Sequence, residues 1–257
     1  MTIYLIGLGV GGFNTIPLIG LEVLRRVDRV FIEVFSNPIS KRDLEKIFEI
    51  CKGKDVIIVD REKFEKEEVI FKHLNLNGDI AIISGGDPLI ATTHQQLLLD
   101  LIKYGKQVRV INASSIITAA IGRSGLHIYK FGPIGTIMRP HIAPLESVFQ
   151  LLVENLRKGL HTLLLLEYDY ASRYIMTPNE AISLLAEAQG KFNSKLPKKG
   201  TPVLILSKIG SEKEKLIGIK WGEKLEERIE GPAVIIFPGK LHFTERDFIR
   251  EVFKLDV

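Results

Sequence analysis

Short apolar runs alternate with amphipathic stretches through the first part of this chain, and this alternation limits the possible folds more than any other feature. It predicts an α/β fold in which a parallel sheet carries helices on both faces. The predicted strands are Thr2–Leu8, Arg29–Phe35, Asp55–Val59, Asp79–Ile83 and Gln107–Ile111. The predicted helices, with apolar residues at helical spacing, are Pro17–Val27, Lys41–Cys51 and Thr93–Tyr104.

The pattern changes after Ile111. A glycine-rich connection at residues 112–135 precedes strands that are more closely spaced along the chain, so we predict a mixed second sheet. This change divides the chain into two predicted domains, residues 1–112 and residues 113–257. The predicted strands of the second domain are His161–Glu167, Pro202–Lys208, Leu216–Lys220 and Ala233–Phe237. Its predicted helices are Ile116–Gly122, Ser147–Lys158, Thr177–Gln189 and Thr244–Phe253.

Two local signals mark the start and the end of one predicted helix. The run Thr177-Pro-Asn-Glu180 has the residues of a capping box, with Pro at the first helical position. Residues 189–199 are rich in glycine, lysine and proline, which indicates a flexible loop.

Composition excludes several classes of protein. The chain has 257 residues, of which 46% are hydrophobic and 26% charged, enough for a substantial core. No apolar run approaches the ~18 residues that a membrane span needs, and the N-terminal residues do not resemble a secretion signal. Cys51 is the only cysteine, which excludes an intrachain disulfide and a cysteine-based metal cluster. We expect a cytoplasmic protein without a membrane partner.

Charge and histidine spacing give no sign of a nucleic-acid or metal partner. The formal net charge is +4, and charges alternate in sign, as in Glu212-Lys-Glu-Lys215, which is typical of solvated faces. Nothing resembles a nucleic-acid footprint, so we expect no direct nucleic-acid partner. No metal is predicted, because the histidines lack ligand spacing. They are His73, His94, His127, His141, His161 and His242.

The fourth predicted strand leads directly into Ser84-Gly-Gly-Asp-Pro88. Its glycines allow positive φ or close approach to a ligand, and its proline stiffens the next part of the loop. Ligands bind at the carboxyl ends of strands in open α/β sheets. The same residues also make a good turn, so Asp87 either contacts a ligand or forms a turn that caps a helix beginning at Ala91.

The N-terminal run Gly7-Leu-Gly-Val-Gly-Gly12 contains G-x-G-x-x-G, and Glu33 lies near the usual position of a ribose-binding acid. In dinucleotide-binding folds, however, the helix opens at the glycines and its N-terminus meets the pyrophosphate. Here Pro17 predicts a later helix start. A dinucleotide-dependent oxidoreductase is therefore disfavoured, and a plain strand-to-helix turn remains a further alternative.

Three of these loops together resemble the class III S-adenosylmethionine methyltransferases, the tetrapyrrole-methylase-like superfamily. They are the first glycine loop, Gly85-Gly-Asp-Pro88 and Ser114-Ser-Ile-Ile-Thr118. Within that superfamily, four longer stretches resemble the diphthine synthase family, and the resemblance extends from Tyr4 to about Glu245. These stretches are Gly86–His94, Gly125–Gly132, Gly159–Leu163 and Pro238–His242.

Two loops depart from the pattern of the family. Ser114 stands where proline is common, and residues 11–14 lack the acids that often follow the first glycines.

The resemblance implies a two-domain tetrapyrrole-methylase-like fold with S-adenosyl-L-methionine in a cleft between the domains and S-adenosyl-L-homocysteine as product. Several of the implied contact residues are apolar, so contacts would come largely from backbone groups and from packing on adenine. For Asp87 we expect a hydrogen bond to the cofactor. By matching motif positions, the contacts fall on Val10, Asp87, Ile90, Ser115, Ile116, Leu166, Ile209 and Ala233.

The resemblance also implies a reaction and partners. The reaction is N-methylation, to the trimethylammonium form, of the 3-amino-3-carboxypropyl-histidine of translation elongation factor 2, a step of diphthamide biosynthesis. The short chain resembles the archaeal form, and the superfamily implies a homodimer. In-line methyl transfer needs mainly proximity and orientation, and no general base emerges, so the catalytic residues are unknown.

Three residues are candidates for contacting the substrate. The alternative, in which they belong to a buried connection that packs between the domains, has equal weight. They are His127, Tyr129 and Lys130, with Lys130 receiving the substrate carboxylate. Residues 191–199 would contribute to docking of the elongation factor. Three alternatives stay open: a class III methyltransferase acting on a tetrapyrrole or ribosomal RNA, the dinucleotide enzyme, and a non-catalytic module that binds the cofactor and regulates a partner.

Overall fold

The computed structural model describes residues 1–65 and 68–257, which form two compact units. The first unit comprises Met1–Ile116 and Asp169–Arg173, and the second comprises Ile117–Tyr168 and Tyr174–Val257. Each unit is built on its own five-stranded sheet. The α/β class is confirmed, with a parallel sheet followed by a mixed one. The predicted domain boundary between residues 112 and 113 stays a prediction.

The sheet of the first unit is parallel throughout, in the order β3-β2-β4-β1-β5. The central strands are buried on both faces, which explains their continuous apolar sequences. The strands are β1 (Thr2–Gly7), β2 (Arg29–Glu33), β3 (Asp55–Val59), β4 (Ile80–Ser84) and β5 (Gln107–Ile111).

Helices cover both faces of this sheet because successive residues of each strand point to opposite sides. Tyr4 and Ile6 of β1 enter a core formed with α1 and α2, whereas Ile3 and Leu5 enter a second core formed with α3, α4 and α5. The helices are α1 (Leu18–Arg26), α2 (Lys41–Ile50), α3 (Arg61–Glu65), α4 (Glu68–Phe71) and α5 (His94–Lys103).

The order of the strands creates a switch point between β1 and β4. These strands are neighbours, yet the chain leaves β1 towards β2 and leaves β4 towards β5, in opposite directions. The helices that come after them, α1 and α5, pack on opposite faces of the sheet. The loops after β1 and β4 therefore lie at a switch point, the position where open α/β sheets bind ligands.

The second unit has the sheet order β11-β10-β12-β7-β6. The pairs are antiparallel except β6 with β7, so the sheet is mixed. Its strands are β6 (Gly135–Ile137), β7 (Thr162–Leu166), β10 (Pro202–Ser207), β11 (Lys215–Lys220) and β12 (Ala233–Phe237), and β8 (Tyr168–Asp169) pairs separately with β9 (Tyr174–Ile175). The helices are α6 (Ile116–Ser124), α7 (Leu145–Arg157), α8 (Pro178–Lys191) and α9 (Phe243–Phe253).

The two local signals around α8 have different outcomes. Thr177 occupies the N-cap and accepts a hydrogen bond from the Glu180 N–H at 3.3 Å, as predicted. The loop predicted to be flexible is instead tied back to the helix. The Gln189 amide donates to the carbonyl oxygens of Ser194 and Pro197 and accepts from the Trp221 indole. Composition alone does not reveal such bonds.

Among residues 1–65 and 68–257, no helix combines the length and apolar character needed to cross a bilayer.

Candidate functional site

Asp87 lies in the loop after β4 and joins this loop to the segment after β5. Its side chain is 5% exposed. One carboxylate oxygen accepts a hydrogen bond from the Leu89 N–H at 2.9 Å, and the other accepts from the Asn112 amide and the Ala113 N–H, both at 3.1 Å. These three donors compensate the carboxylate for lost water, so Asp87 fixes the ends of β4 and β5, the two strands that flank β1, relative to each other.

The helix after this loop begins too late to be capped by Asp87. α5 starts at His94, and Thr93 is its N-cap without a side-chain cap bond. The alternative in which Asp87 caps a helix beginning at Ala91 is therefore wrong. Ala91 has φ +57° and lies outside the helix. Its left-handed backbone marks the turn that delays the helix start. The cofactor contact of Asp87 stays a prediction.

The first glycine loop is bonded to the Asp87 loop. Gly9 and Gly86 exchange backbone hydrogen bonds at 3.0 and 3.3 Å. Both residues have positive φ, +80° and +66°, which favours glycine at these positions. A Cβ on Gly7 would lie 2.9 Å from the Ala113 Cβ and closer still to the Gly86 carbonyl oxygen. The glycines therefore allow three strand ends to approach one another closely.

The N–H groups of this loop are directed at protein acceptors. A dinucleotide site needs them free, because the pyrophosphate is held by such groups at a helix N-terminus. Helix α1 begins only at Leu18, after Pro17 at the N-cap, as predicted. The N–H donors and acceptors are Gly9 to Gly86 O, Val10 to Ser114 Oγ, Gly11 to Thr15 Oγ1, Gly12 to Gly9 O, and Phe13 to Asp43 Oδ1.

Glu33 is also unsuited to binding a ribose. Its side chain has no exposed surface. The carboxylate accepts hydrogen bonds from the N–H groups of Phe35 and Ser36 and from the Ser36 hydroxyl. The dinucleotide alternative is therefore wrong, because both halves of its sequence signature serve the internal structure of the first unit.

The predicted cofactor residues of the first unit come together at one edge of its sheet. All five lie after the carboxyl ends of strands: Val10 after β1, Asp87 and Ile90 after β4, and Ser115 and Ile116 after β5. Ser115 is buried, Val10 and Ile116 are half-buried, and Ile90 is exposed. Their binding role stays a prediction.

The predicted cofactor residues of the second unit also cluster at one end of a sheet. Leu166 ends β7, Ala233 begins β12, and the pairing of Val234 with Leu165 places their positions opposite each other. Ala233 also pairs with Ser207, the last residue of β10, and Ile209 comes two residues later. The three residues therefore lie at the same end of the second sheet.

A buried ion pair fixes the strand end at Leu166. The next residue, Glu167, is buried, and its carboxylate accepts from the Arg139 guanidinium at 2.7 and 2.9 Å and from the Arg139 N–H at 2.6 Å. The guanidinium carbon lies 4.0 Å from the centre of the Tyr174 ring, a cation–π contact. Burial raises the pKa of Tyr174 above its ordinary range, with a further rise from Glu180.

The sheet edge of the first unit offers both polar and apolar groups to a ligand. At the end of β4 the Ser84 hydroxyl is buried without a hydrogen-bond partner among the described residues, an unsatisfied polar group beside Gly85. Val10, Ile90 and Ile116 leave apolar surface outside the core. S-adenosylmethionine, which has polar groups and an adenine ring, fits this combination.

Glu245, which is not among the site residues predicted from the sequence, organises the second unit near its C-terminal helix. It has no exposed surface and is the third residue of α9. Its carboxylate accepts from the N–H groups of His127 and His242 and from His161 Nε2, at 2.9, 2.6 and 3.0 Å, and it pairs with the Lys130 ammonium. The sequence signal is a glutamate three residues after an N-cap, as in a capping box, but its burial has no local signature.

Three stretches that carry the family resemblance converge on this carboxylate. Gly125–Gly132 supplies His127 and Lys130, Gly159–Leu163 supplies His161, and Pro238–His242 supplies His242. His161 Nδ1 also accepts the Gly239 N–H at 2.9 Å, so its Nε2 carries the proton donated to Glu245.

The pKa values of the cluster are set by burial and these bonds. Burial acts to raise the pKa of Glu245, but the His242 N–H, Lys130, the His127 N–H and His161 outweigh it and hold the pKa at about 2. Burial lowers the pKa of His161, against the opposing effect of Glu245. The cluster thus holds an ionised carboxylate in the interior.

The three candidates for the substrate side lie in one short turn of the second unit. A 3₁₀ turn spans Ile128–Lys130, and the Tyr129 side chain is 96% exposed. His127 Nε2 lies 3.3 Å from the Thr244 hydroxyl. The Lys130 ammonium is paired with Glu245, so a substrate carboxylate would have to share or replace that partner. Their roles towards substrate stay predictions.

Similarity to known proteins defines the class of this fold. Residues 2–224 match the model of the tetrapyrrole (corrin/porphyrin) methylases. This match spans most of the chain, and the chain belongs to that family.

Individual relatives narrow the class further. Diphthine synthase of Methanococcus aeolicus is 35% identical over 251 residues, 96% of each chain. That of Methanothermobacter thermautotrophicus is 34% identical over 253 residues, 97% of this chain and 95% of the relative. A solved structure of diphthine synthase has a TM-score of 0.83 at 25% identity, covering 99% of this chain and 96% of that one. Within the tetrapyrrole methylases the chain belongs to the diphthine synthases, and it is an S-adenosylmethionine-dependent methyltransferase of diphthamide biosynthesis.

Proposed function

We propose that the chain transfers methyl groups from S-adenosylmethionine to the amino group of the 3-amino-3-carboxypropyl-histidine of elongation factor 2, giving the trimethylammonium form. The observation that carries the proposal is the similarity to diphthine synthases over almost the full length of both chains. The Glu245 cluster supports it, because it gives three stretches of the family resemblance a common structural role.

When bound, S-adenosylmethionine supplies a sulfonium methyl group that is already a strong electrophile, so the protein mainly has to position it for a neutral amine. Asp87 holds the loop after β4 against the segment after β5. The Gly9–Gly86 bonds hold the loop after β1 in the same place. We propose that Val10, Ile90, Ser115 and Ile116 contact the cofactor on this frame.

The residues of the second unit complete the proposed set. Leu166, Ile209 and Ala233 would contribute apolar contacts and backbone groups, with the Arg139–Glu167 pair fixing the end of β7. Several of these residues are apolar, so the cofactor would be recognised largely through backbone groups and packing. No proton acceptor for the amine is assigned.

The direct test is methyl transfer. The purified chain is incubated with radiolabelled S-adenosylmethionine and elongation factor 2 carrying the aminocarboxypropyl-histidine. We expect label on the modified factor, none on a factor with unmodified histidine, and mass spectrometry counts the methyl groups. Cofactor binding without label transfer would instead support a regulatory binding module. Label on a tetrapyrrole or ribosomal RNA would support a different class III methyltransferase.

Two further parts of the proposal are a homodimer, supported by the superfamily resemblance, and a cytoplasmic location, supported by the single cysteine, Cys51. Light scattering on the purified chain measures the first, and a fractionated cell extract measures the second. A monomer over the concentration range of the assay would contradict the homodimer.

A further inference from the structure

The peptide bond between Gly85 and Gly86 lies in the loop after β4 and is held from both sides. Asn37 Nδ2 donates to the Gly85 carbonyl oxygen at 3.1 Å, and the Gly86 N–H donates to the Gly9 carbonyl oxygen at 3.3 Å. In a trans peptide the carbonyl oxygen and the N–H point in opposite directions. Asn37 and Gly9 therefore hold one peptide plane between them.

This peptide depends on hydrogen bonds because steric constraints do not set its orientation. Rotation of the peptide plane changes ψ of Gly85 and φ of Gly86, and glycine tolerates both orientations. Gly86 has φ +66°, a left-handed value, and a rotated peptide would give it a negative φ that is equally accessible. Contacts from outside the loop therefore decide which orientation the peptide adopts.

The residues on either side of Asn37 direct its side chain at this loop. Before it, the Ser36 N–H and hydroxyl both bond to the Glu33 carboxylate, which fixes the turn after β2. After it, Pro38 disfavours helical backbone at Asn37. Gly85 leaves room for the side chain, because a Cβ on Gly85 would lie 2.7 Å from the Asn37 Cβ. The amide thus meets the loop at close range.

We propose that Asn37 is a positioning residue for S-adenosylmethionine, because it fixes the orientation of the Gly85–Gly86 peptide. Without its amide the peptide can rotate, and rotation turns the Gly86 N–H away from Gly9, which separates the loop after β4 from the loop after β1. Asp87 is the next residue, and its bonds run onward along the loop and to the segment after β5. Asn37 thus holds the start of the loop, whereas Asp87 holds the rest.

The proposal rests on the proposed function where it concerns S-adenosylmethionine, because the loop carries the proposed contacts Asp87 and Ile90. Asn37→Ala takes this donor away from the carbonyl oxygen of Gly85, a buried residue, and so frees the peptide to rotate. We expect affinity for S-adenosylmethionine to fall roughly fivefold in this variant, the effect of one hydrogen bond.

Asn37→Asp separates a hydrogen-bonding role from a packing role. It keeps the shape of the side chain but places an acceptor opposite the Gly85 carbonyl oxygen, which disfavours the present orientation of the peptide. If donation is what matters, Asn37→Asp lowers the affinity at least as much as Asn37→Ala does. If packing alone mattered, Asn37→Asp would be the milder change.

The test combines calorimetry with amide hydrogen exchange, measured by NMR on the full chain. Exchange at Gly86 reports on the bond from its N–H to Gly9, because an amide that loses its bond exchanges faster. We expect Gly86 to exchange roughly tenfold faster in Asn37→Ala. Leu5, buried in β1 beside β4, measures any general loss of stability, and the change at Gly86 must exceed the change at Leu5.

Asn75 offers a matched control in the same unit. It is exposed in the turn after α4. Asn75→Asp makes the same change of side chain as Asn37→Asp, and we expect it to bind S-adenosylmethionine and to exchange at Gly86 as the wild type does. Circular dichroism verifies that each variant is folded.

The outcomes are separable. A change in exchange at Gly86 no larger than that at Leu5 would overturn the fixing of the peptide. Unchanged affinity in both Asn37 variants, or a smaller loss in Asn37→Asp than in Asn37→Ala, would overturn the positioning role. A wild-type chain that binds no S-adenosylmethionine would overturn the proposed function, while hydrogen exchange would still decide whether Asn37 fixes the peptide.

Discussion

Asp87 has an observed structural role at a position where we propose that the cofactor binds. Its three hydrogen bonds make it a structural tie between the loop after β4 and the segment after β5. The same bonds fix a carboxylate at the strand ends where a ligand is expected. A residue of this kind affects binding and stability together, so a change in one cannot be interpreted without measuring the other.

We expect Asp87→Ala to lower both S-adenosylmethionine affinity and the melting temperature. The sequence alone predicts a loss of affinity at nearly unchanged melting temperature. In the structure, however, the Leu89 and Ala113 N–H groups and the Asn112 amide would lose their acceptor. Stranded donors of this kind cost on the order of 2 kcal/mol, about 4–8 °C in melting temperature. Calorimetry and thermal unfolding measure the two effects.

Asp87→Asn is the matched control, since it keeps one acceptor oxygen and the shape of the side chain. We expect it to unfold at a temperature between those of the wild type and Asp87→Ala. An unchanged melting temperature in Asp87→Ala would contradict the structural tie, and unchanged affinity would contradict the cofactor contact.

Some of these residues can be predicted from the sequence and others cannot. Asp87 lies in a contiguous motif at a strand end, so its position is predictable from local pattern. Glu245 and Glu33 look like ordinary helix and strand acids. Their burial depends on partners that lie 118 and 61 positions away, His127 and His94. No local pattern encodes contacts of that range.

At the scale of elements, the glycines after β1 permit the strand ends to meet. Gly7 contacts the loop after β4 so closely that any side chain at this position would displace the loop. In a helix, by contrast, glycine lowers stability, because there it only adds conformational freedom to the unfolded chain. The chain offers one example of each, Gly7 in β1 and Gly122 in α6.

We expect Gly7→Ala and Gly122→Ala to change stability in opposite directions. The Cβ at Gly7 would overlap the Gly86 carbonyl oxygen and Ala113, a cost of about 1–3 kcal/mol. Gly122 is exposed with no atom within 4 Å of an added Cβ, so alanine stabilises α6 by about 0.5–1 kcal/mol. Urea unfolding measures both, and a neutral Gly7→Ala would contradict the close approach.

The elements that can be predicted from the sequence pattern are those with strong hydrophobic periodicity. The five strands of the parallel sheet agree with the predicted runs within about two residues, because buried parallel strands have continuous apolar sequences. The strands β6, β8 and β9 have three, two and two residues, too few to show a period. Tertiary hydrogen bonds define them, as they define the loop held by Gln189.

At the scale of the whole molecule, the pKa of one buried carboxylate makes the stability of the chain depend on pH. The Glu245 cluster contains an ionised carboxylate whose pKa in the folded state, about 2, lies below the ordinary 4.5. The folded state therefore binds this proton less tightly than the unfolded state does. By linkage, Glu245 stabilises the fold fully above about pH 4.5, and this stabilisation is lost as the pH falls towards 2.

We expect the difference in unfolding free energy between the wild type and Glu245→Gln to shrink over that pH range. The pKa shift corresponds to about 3 kcal/mol. Urea unfolding at a series of pH values measures it for both chains. Exposed Glu251→Gln on the same helix is the control, and it should match the wild type at every pH. A difference independent of pH would contradict the assigned role of Glu245.

The bonds between the first glycine loop and its partners have a consequence for the order of events during synthesis. Gly9 forms backbone hydrogen bonds with Gly86, and the Val10 N–H donates to Ser114 Oγ. Ser114 lies beyond the last strand of the parallel sheet. Because the chain emerges from its N-terminus, the Gly9 bonds must wait for residue 86 to be translated, and the Val10 bond must wait for Ser114, which lies 104 residues further along the chain. Ligand binding by a nascent chain would thus report completion of the whole first sheet, not the folding of its first loop.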